Sequence, residues 1–141
     1  MKRIMAIDYG DARTGIAISD LLCSLVGSTT VIHSRVPEKT VAEICRLARE
    51  NQVEELVMGF PRNMDGTEGP RAKLCRDFAI QVERAAGKQV VLWDERRTTV
   101  EAHGILHASG KRMKDHKKSV DAVAASLILE GDLNFKRISG Q

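Results

Sequence analysis

Four apolar residues in a row, Ile4-Met5-Ala6-Ile7, end in a carboxylate, Asp8, and Gly10 then opens a turn through Asp11, Ala12, Arg13 and Thr14. A short apolar run bounded in this way reads as a buried strand over residues 3–9. A charge at its carboxyl end is costly unless it is paired or binds a cation. Gly15 to Asp20 reads as a second short strand, near enough to pair with the first as an antiparallel hairpin with a longer loop. A third, from about Leu25 to His33, carries the β-branched residues Thr29, Thr30, Val31 and Ile32.

Beyond it the period changes. Pro37 suits a first helical turn, and Val41, Ile44, Cys45 and Ala48 follow at i, i+3, i+4 and i+7. Glu55 to Gly59 is a short strand, and Phe60 to Pro70, with two prolines and two glycines, is a loop. Cys75, Phe78, Ala79 and Val82 mark a second helix with Gly87 as its stop. Val90 to Trp93 is a strand that ends in Asp94-Glu95. Thr98 or Thr99 can cap a helix running to Ser109, and Val120, Val123, Ala124, Leu127 and Ile128 form the stripe of a last one after a basic loop. Three meandering strands followed by strand–helix units predict an α/β sheet, antiparallel on one side and parallel on the other.

The 141 residues fit one domain, 1–141, with 134–141 expected to fray. No apolar run approaches the roughly 20 residues needed to span a bilayer, and an acid at position 8 interrupts any signal-peptide core. A cytoplasmic protein is the simplest expectation. Three cysteines without CxxC spacing point the same way, Cys45 and Cys75 lying on apolar helix stripes. The net charge of +3 is weak, yet Arg96 to Lys118 holds seven cations against two acids, a local +5 on a remainder of −2. That stretch suits a polyanion contact or a solvated loop.

Three acids draw attention. Asp8 and Asp94-Glu95 end strands, where open α/β sheets place ligands. Asp121 lies beside the apolar stripe of the last helix, among Val120, Ala122 and Ala125. Taken singly, Asp8 also fits a turn-capping role, and Asp121 a helix N-terminal acid favoured by the macrodipole. Taken together at one edge of the sheet, hard oxygen ligands of this kind bind Mg²⁺ or Mn²⁺ and serve phosphodiester hydrolysis. Ser19 has no histidine partner to make it a nucleophile. His103 and His107 stand at i, i+4, but residue 104 is Gly where the zinc motif has Glu. Arg62 and Asn63, in the glycine-bearing loop, suit phosphate oxygens; the loop lacks the Walker pattern.

Four stretches together resemble the YqgF family, also called RuvX-like: pre-16S rRNA nucleases related to Holliday-junction resolvases. They are Ala6 to Asp20 (AIDYGDARTGIAISD), Val57 to Ala72 (VMGFPRNMDGTEGPRA), Trp93 to Ala102 (WDERRTTVEA) and Lys118 to Leu129 (KSVDAVAASLIL). The resemblance implies an RNase H-like fold, a mixed five-stranded sheet with helices on both faces. It also implies a divalent-metal nuclease for structured RNA or branched DNA, maturing the 5′ end of pre-16S rRNA, with the ribosome as a partner. It puts the catalytic and metal-binding acids at Asp8, Glu95 and Asp121, with Arg13, Asn63 and Arg96 nearby. Lys114, Lys117 and Lys118, with Arg62, complete the expected nucleic-acid contacts. Wider resolvase relatives carry two further acids, where this chain has the Met58-Gly59-Phe60 segment and Lys118. Asp94-Glu95 substitutes, and the longer reach of Glu95 favours it over Asp94; one or two metals both fit.

Two other readings compete. A non-catalytic ribosome-assembly module is disfavoured by the three acids, and an actin-like ATPase half by the chain's length. A Holliday-junction resolvase-like activity on DNA remains an alternative within the nuclease reading. If the basic stretch meets a polyanion, Lys114, Lys117 and Lys118 replaced by Ala should lower nucleic-acid affinity. The slope of log K against log salt should flatten by about 2 to 3 for three lost phosphate contacts, measured by fluorescence anisotropy across a salt series.

Overall fold

The computed structural model describes residues 3–20, 22, 25–61, 66–94 and 113–138, with side chains in the last segment described for 122–136. The elements are β1 (Arg3–Asp8), β2 (Arg13–Ser19), β3 (Val26–His33), α1 (Pro37–Glu50), β4 (Val53–Phe60), α2 (Pro70–Ala86), β5 (Val90–Asp94) and α3 (Met113–Ile138). The strands form one five-stranded sheet in the order β3-β2-β1-β4-β5. Pairing is antiparallel through β1, β2 and β3, and parallel through β1, β4 and β5. The mixed sheet expected from the order of elements is therefore present. The helix expected between residues 98 and 109 lies outside the described residues.

β1 is the central strand, and its composition explains why. Ile4, Met5, Ala6 and Ile7 are all buried, because a strand covered on both faces needs apolar residues at every position. Met5 and Ile7 pack with Val41 and Ile44 of α1 and Phe78 and Val82 of α2. Ile4 and Ala6 pack on the other face with Ala125, Ile128, Leu129 and Leu133 of α3. Helices thus cover both faces. β3, at the edge, buries only Ile32.

The helices follow the expected stripes. α1 starts at Pro37 and buries Val41, Ile44, Cys45 and Ala48. α2 buries Ala72, Cys75, Phe78, Ala79 and Val82, then ends at Gly87, whose φ of 69° is left-handed and whose N–H donates to the Glu83 carbonyl. Cys45 and Cys75 are buried free thiols, as expected of core residues. Ser19 is structural, since its Oγ accepts the Ile4 N–H at 2.9 Å and so joins β2 to the start of β1.

α3 exceeds expectation at both ends. The stretch read as a basic loop is helical from Met113, so Lys114, Lys117 and Lys118 are helix residues. It lacks apolar periodicity, but lysine and methionine are good helix formers, and helix length is not limited to the apolar stripe. At the other end the helix runs past Asn134 to Ile138. Lys136 holds it there. Its Nζ donates to Glu55 Oε1 on β4 and lies 3.0 Å from Asp132 Oδ2, within ion-pair reach though off a good hydrogen-bond direction.

Asp132 is only 4% exposed. Burial pushes its carboxyl above the usual carboxylate range, against the pull of Lys136. The Lys136 ammonium is raised as well: burial opposes the shift, and the bonds to Glu55 and Asp132 outweigh it. Both groups hold protons more tightly folded than unfolded, so their linked stability is fully present at low pH. It declines as pH rises through each folded value. Lys136→Met, which strands two carboxylates, should cost about 2–4 kcal/mol near neutral pH, below the 3–5 of a fully buried pair because Lys136 is partly exposed. The cost should shrink as pH falls and Asp132, its carboxyl raised by burial, takes up a proton; urea unfolding at neutral and at acidic pH measures it.

Candidate active site

Asp8 stands at the carboxyl end of the central strand, partly exposed after four buried residues. Strand alternation puts it on the face of Ile4 and Ala6, the face that α3 covers. Its cross-strand partner on β2 is Gly15, which contributes no side chain beside the carboxylate. Arg13, two residues before Gly15, lies on the same face and is exposed.

The chain leaving Asp8 is held closely. Gly10 is required in the turn: a Cβ there would lie 2.1 Å from the Arg13 carbonyl oxygen. Tyr9 stacks on Phe78 of α2, ring centroids 3.9 Å apart. Arg71 of α2 lies over the Tyr9 ring, donates to the Tyr9 carbonyl and pairs with Asp11 Oδ1 at 2.9 Å. Burial, then the Asp11 charge, push the Tyr9 hydroxyl above its ordinary value, so it remains a neutral phenol. Arg71 is not among the residues singled out by sequence. A cation in the first turn of a helix opposes the macrodipole, and that misfit immediately after Pro70 was the available signal.

The second carboxylate can be narrowed from one side. Asp94 pairs in register with Phe60, whose ring is buried under α1 and α2. Paired residues of a parallel ladder share a face, so Asp94 belongs to the face opposite Asp8. Glu95 lies outside the described residues, as do Arg62, Asn63 and Arg96.

Asp121 is in α3, four residues before Ala125 and seven before Ile128, both buried against the sheet. It was expected at an element end. With the helix starting at Met113 it lies more than two turns in, and the macrodipole acts only within the first turn. The dipole explanation of this acid therefore fails. Lys114, Lys117 and Lys118 share the preceding turns, their side chains outside the described set. Among the described residues no three His, Cys, Asp or Glu side chains gather as a metal site, and no helix is long and apolar enough to cross a membrane.

Comparison with known proteins shows the family and the fold. The family model described as RuvX, Holliday junction resolvase, matches residues 2–134. The chain belongs to the RuvX family. A relative from Halothermothrix orenii, named "Putative pre-16S rRNA nuclease", is 43% identical over 95% of this chain and 96% of its own length. A protein of the same name from Carboxydothermus hydrogenoformans is 40% identical over 95% and 97%. Among solved structures, Thermus thermophilus RuvC bound to a Holliday junction superposes with a TM-score of 0.56 at 12% identity, covering 91% of this chain and 92% of RuvC. The large terminase nuclease of phage G20c gives a TM-score of 0.57, also at 12% identity, over 92% and 80%. The fold of this RuvX chain is RNase H-like.

Gly10→Ala should destabilise the protein by about 1–3 kcal/mol, the usual cost of a forced overpacking. Asp11→Ala, which removes only an exposed partner of Arg71, should cost less than about 1 kcal/mol. Urea midpoints of the two variants provide the comparison, and equal losses would disprove the steric argument.

Proposed function

We propose that this RuvX protein is a metal-dependent nuclease that hydrolyses phosphodiester bonds in structured RNA, maturing the 5′ end of pre-16S rRNA in the cytoplasm. The observation that carries the reading is Asp8: a carboxylate ending the central strand, beside a glycine, on the face covered by the helix that bears Asp121. The names of the relatives point to the RNA, and the family description and the RuvC likeness point to nucleic-acid cleavage in general.

Helix geometry supports bringing Asp121 to Asp8. Lys136 ties the end of α3 to Glu55, which pairs in the sheet with Ile4. From that tie α3 runs back about 22 Å to position 121, toward the carboxyl end of β1. Ala125, one turn from Asp121, packs in one cluster with Ala6, two residues before Asp8. Glu95 follows Trp93 by two residues, and Trp93 packs on the α3 face, the face of Asp8.

These donors fit a divalent ion. Carboxylate oxygens are the ligands Mg²⁺ and Mn²⁺ prefer, and Gly15 keeps side-chain bulk away from Asp8. We assign Asp8, Glu95 and Asp121 to hold it; when bound, such an ion supplies positive charge to the phosphoryl oxygens and acidifies water. The rest falls to the protein. Arg13 binds a phosphate flanking the scissile one, Arg62, Asn63 and Arg96 orient the backbone around it, and Lys114, Lys117 and Lys118 draw the polyanion along α3. Lys118, where wider relatives carry an acid, balances the reduced carboxylate count.

Labelled precursor rRNA and a four-way DNA junction, each with Mg²⁺, Mn²⁺ or EDTA, decide the matter. The rRNA should be cut only with metal, and Asp8→Asn should lower the rate at least 100-fold while unfolding at an unchanged urea midpoint. Preferred cutting of the junction would make the resolvase-like reading correct. Binding without cutting of either would make the chain an assembly module.

A further inference from the structure

A second feature lies on the other flank of Asp8. Between the edge strand β3 and α1 runs a cleft of about 580 Å³, lined among others by Thr30, His33, Arg35, Lys39 and Arg46. Most of the described arginines near this end of the sheet are committed to acids: Arg46 to Glu43 and Glu50, Arg71 to Asp11, Arg76 to Glu68. Arg35 and Lys39 differ. Both are exposed, and among the described residues no carboxylate lies within ion-pair distance of either. Arg13 is in the same condition.

Arg13 and His33 connect this rim to the carboxylate in register. Asp8 pairs with Gly15; Arg13 is two residues on along the same face; His33 pairs directly with Arg13 on β3. With strands about 4.8 Å apart, His33 is about 10 Å across the sheet from the line of Asp8. Ser34 then donates its N–H to the Ala12 carbonyl at 3.1 Å, tying the approach to α1 to the turn that follows Asp8. Ser34 Oγ accepts the Val36 N–H at 3.1 Å, so the backbone on either side of Arg35 is held in place. An acid, Glu38, lies beside Lys39 in the first turn of α1. Glu43, which lines the cleft, is held by Arg46, and that bond keeps its carboxyl below the usual range.

We propose that this cleft is a second nucleic-acid contact, binding the sugar-phosphate backbone of the substrate strand a few nucleotides from the bond cut at Asp8. Arg35 and Lys39 bind the phosphates, and Arg13 and His33 lead the strand to them. The inference rests on the nuclease reading and extends it from the point of cleavage to the path of the strand. An acidic protein segment is the competing occupant, and it predicts no effect on RNA.

The test uses the uncut complex of Asp8→Asn with fluorescent RNA hairpins bearing single-stranded extensions of increasing length. Lengthening the extension should tighten binding until the strand spans the cleft. Adding Arg35→Ala and Lys39→Ala should abolish that gain, about 10-fold in affinity, and reduce the salt slope by about 1.5, as two phosphate contacts would. Arg35→Lys with Lys39→Arg should restore it, separating lost charge from lost structure. Equal weakening at every length, or no change with binding intact, would overturn the cleft and leave the nuclease standing. If Asp8→Asn binds none of the hairpins, the RNA reading fails and the cleft with it.

Discussion

Burial of β1 on both faces is the constraint from which the rest of the molecule follows. Ile4, Met5, Ala6 and Ile7 leave no face of that strand for water, so one helical layer must lie on each side and a strand must lie at each edge. Asp8 is then the first residue at which this strand emerges from the core. A carboxylate there has low-dielectric protein behind it and solvent before it, a setting in which its charge acts strongly on whatever binds at the sheet edge. Gly15 beside it and Gly10 beyond it are small for related reasons: one leaves room, the other allows the chain to turn against the Arg13 carbonyl.

The two helical layers differ in how they hold the sheet. α1 and α2 supply most of the apolar packing, with large side chains such as Phe60 and Phe78. α3 meets the sheet through Ile128, Leu129 and Leu133 and, nearer Asp121, through small residues, Ala125 against Ala6 and Ala17. Small residues interlock little, so that part of the contact does not by itself set the helix's position along the strands. The Lys136–Glu55–Asp132 cluster does that at the far end. Buried charge is expensive, and replacing it with apolar residues often costs nothing. Its presence here is consistent with a requirement for register, since a slip of one helical turn would carry position 121 about 5.4 Å along the sheet.

Much of this was legible from local pattern. The β1–β2 hairpin, the α1 and α2 stripes, the Gly87 stop and the mixed sheet all follow from periods of two or 3.6 and from turn chemistry. What escaped depended on partners distant in sequence or on the absence of pattern. Lys136 extends α3 by reaching Glu55, 81 residues away, which no local window contains. The Met113–Lys118 turns carry no apolar period, and polarity there resembled a loop. Of the candidate site, Asp8 was legible because a charge ending an apolar strand is conspicuous. Side-chain reach favoured Glu95 over Asp94 from sequence; that Asp94 belongs to the face opposite Asp8 follows from its register with Phe60, a property of pairing. Arg71 was concealed because its partners, Tyr9 and Asp11, precede it by some 60 residues.

The proposed carboxylate site would see the phosphodiester group, and that group is the same in RNA and DNA. Shared fold does not fix the choice either, since at 12% identity the chain superposes both on RuvC bound to a Holliday junction and on a phage terminase nuclease. Discrimination must then arise where the protein meets sugar and strand shape. The 2′-hydroxyl can both donate and accept, so it is read by groups able to answer in kind. Lysine and arginine cannot, because they only donate. On the β3–α1 rim the residues with that capacity are Thr30, Ser34 and His33, beside the cations that would hold the phosphates. The proposed Asp8-centred site would account for cleavage, and the β3–α1 rim, around the sheet edge on the α1 side, carries the chemistry to choose what is cleaved.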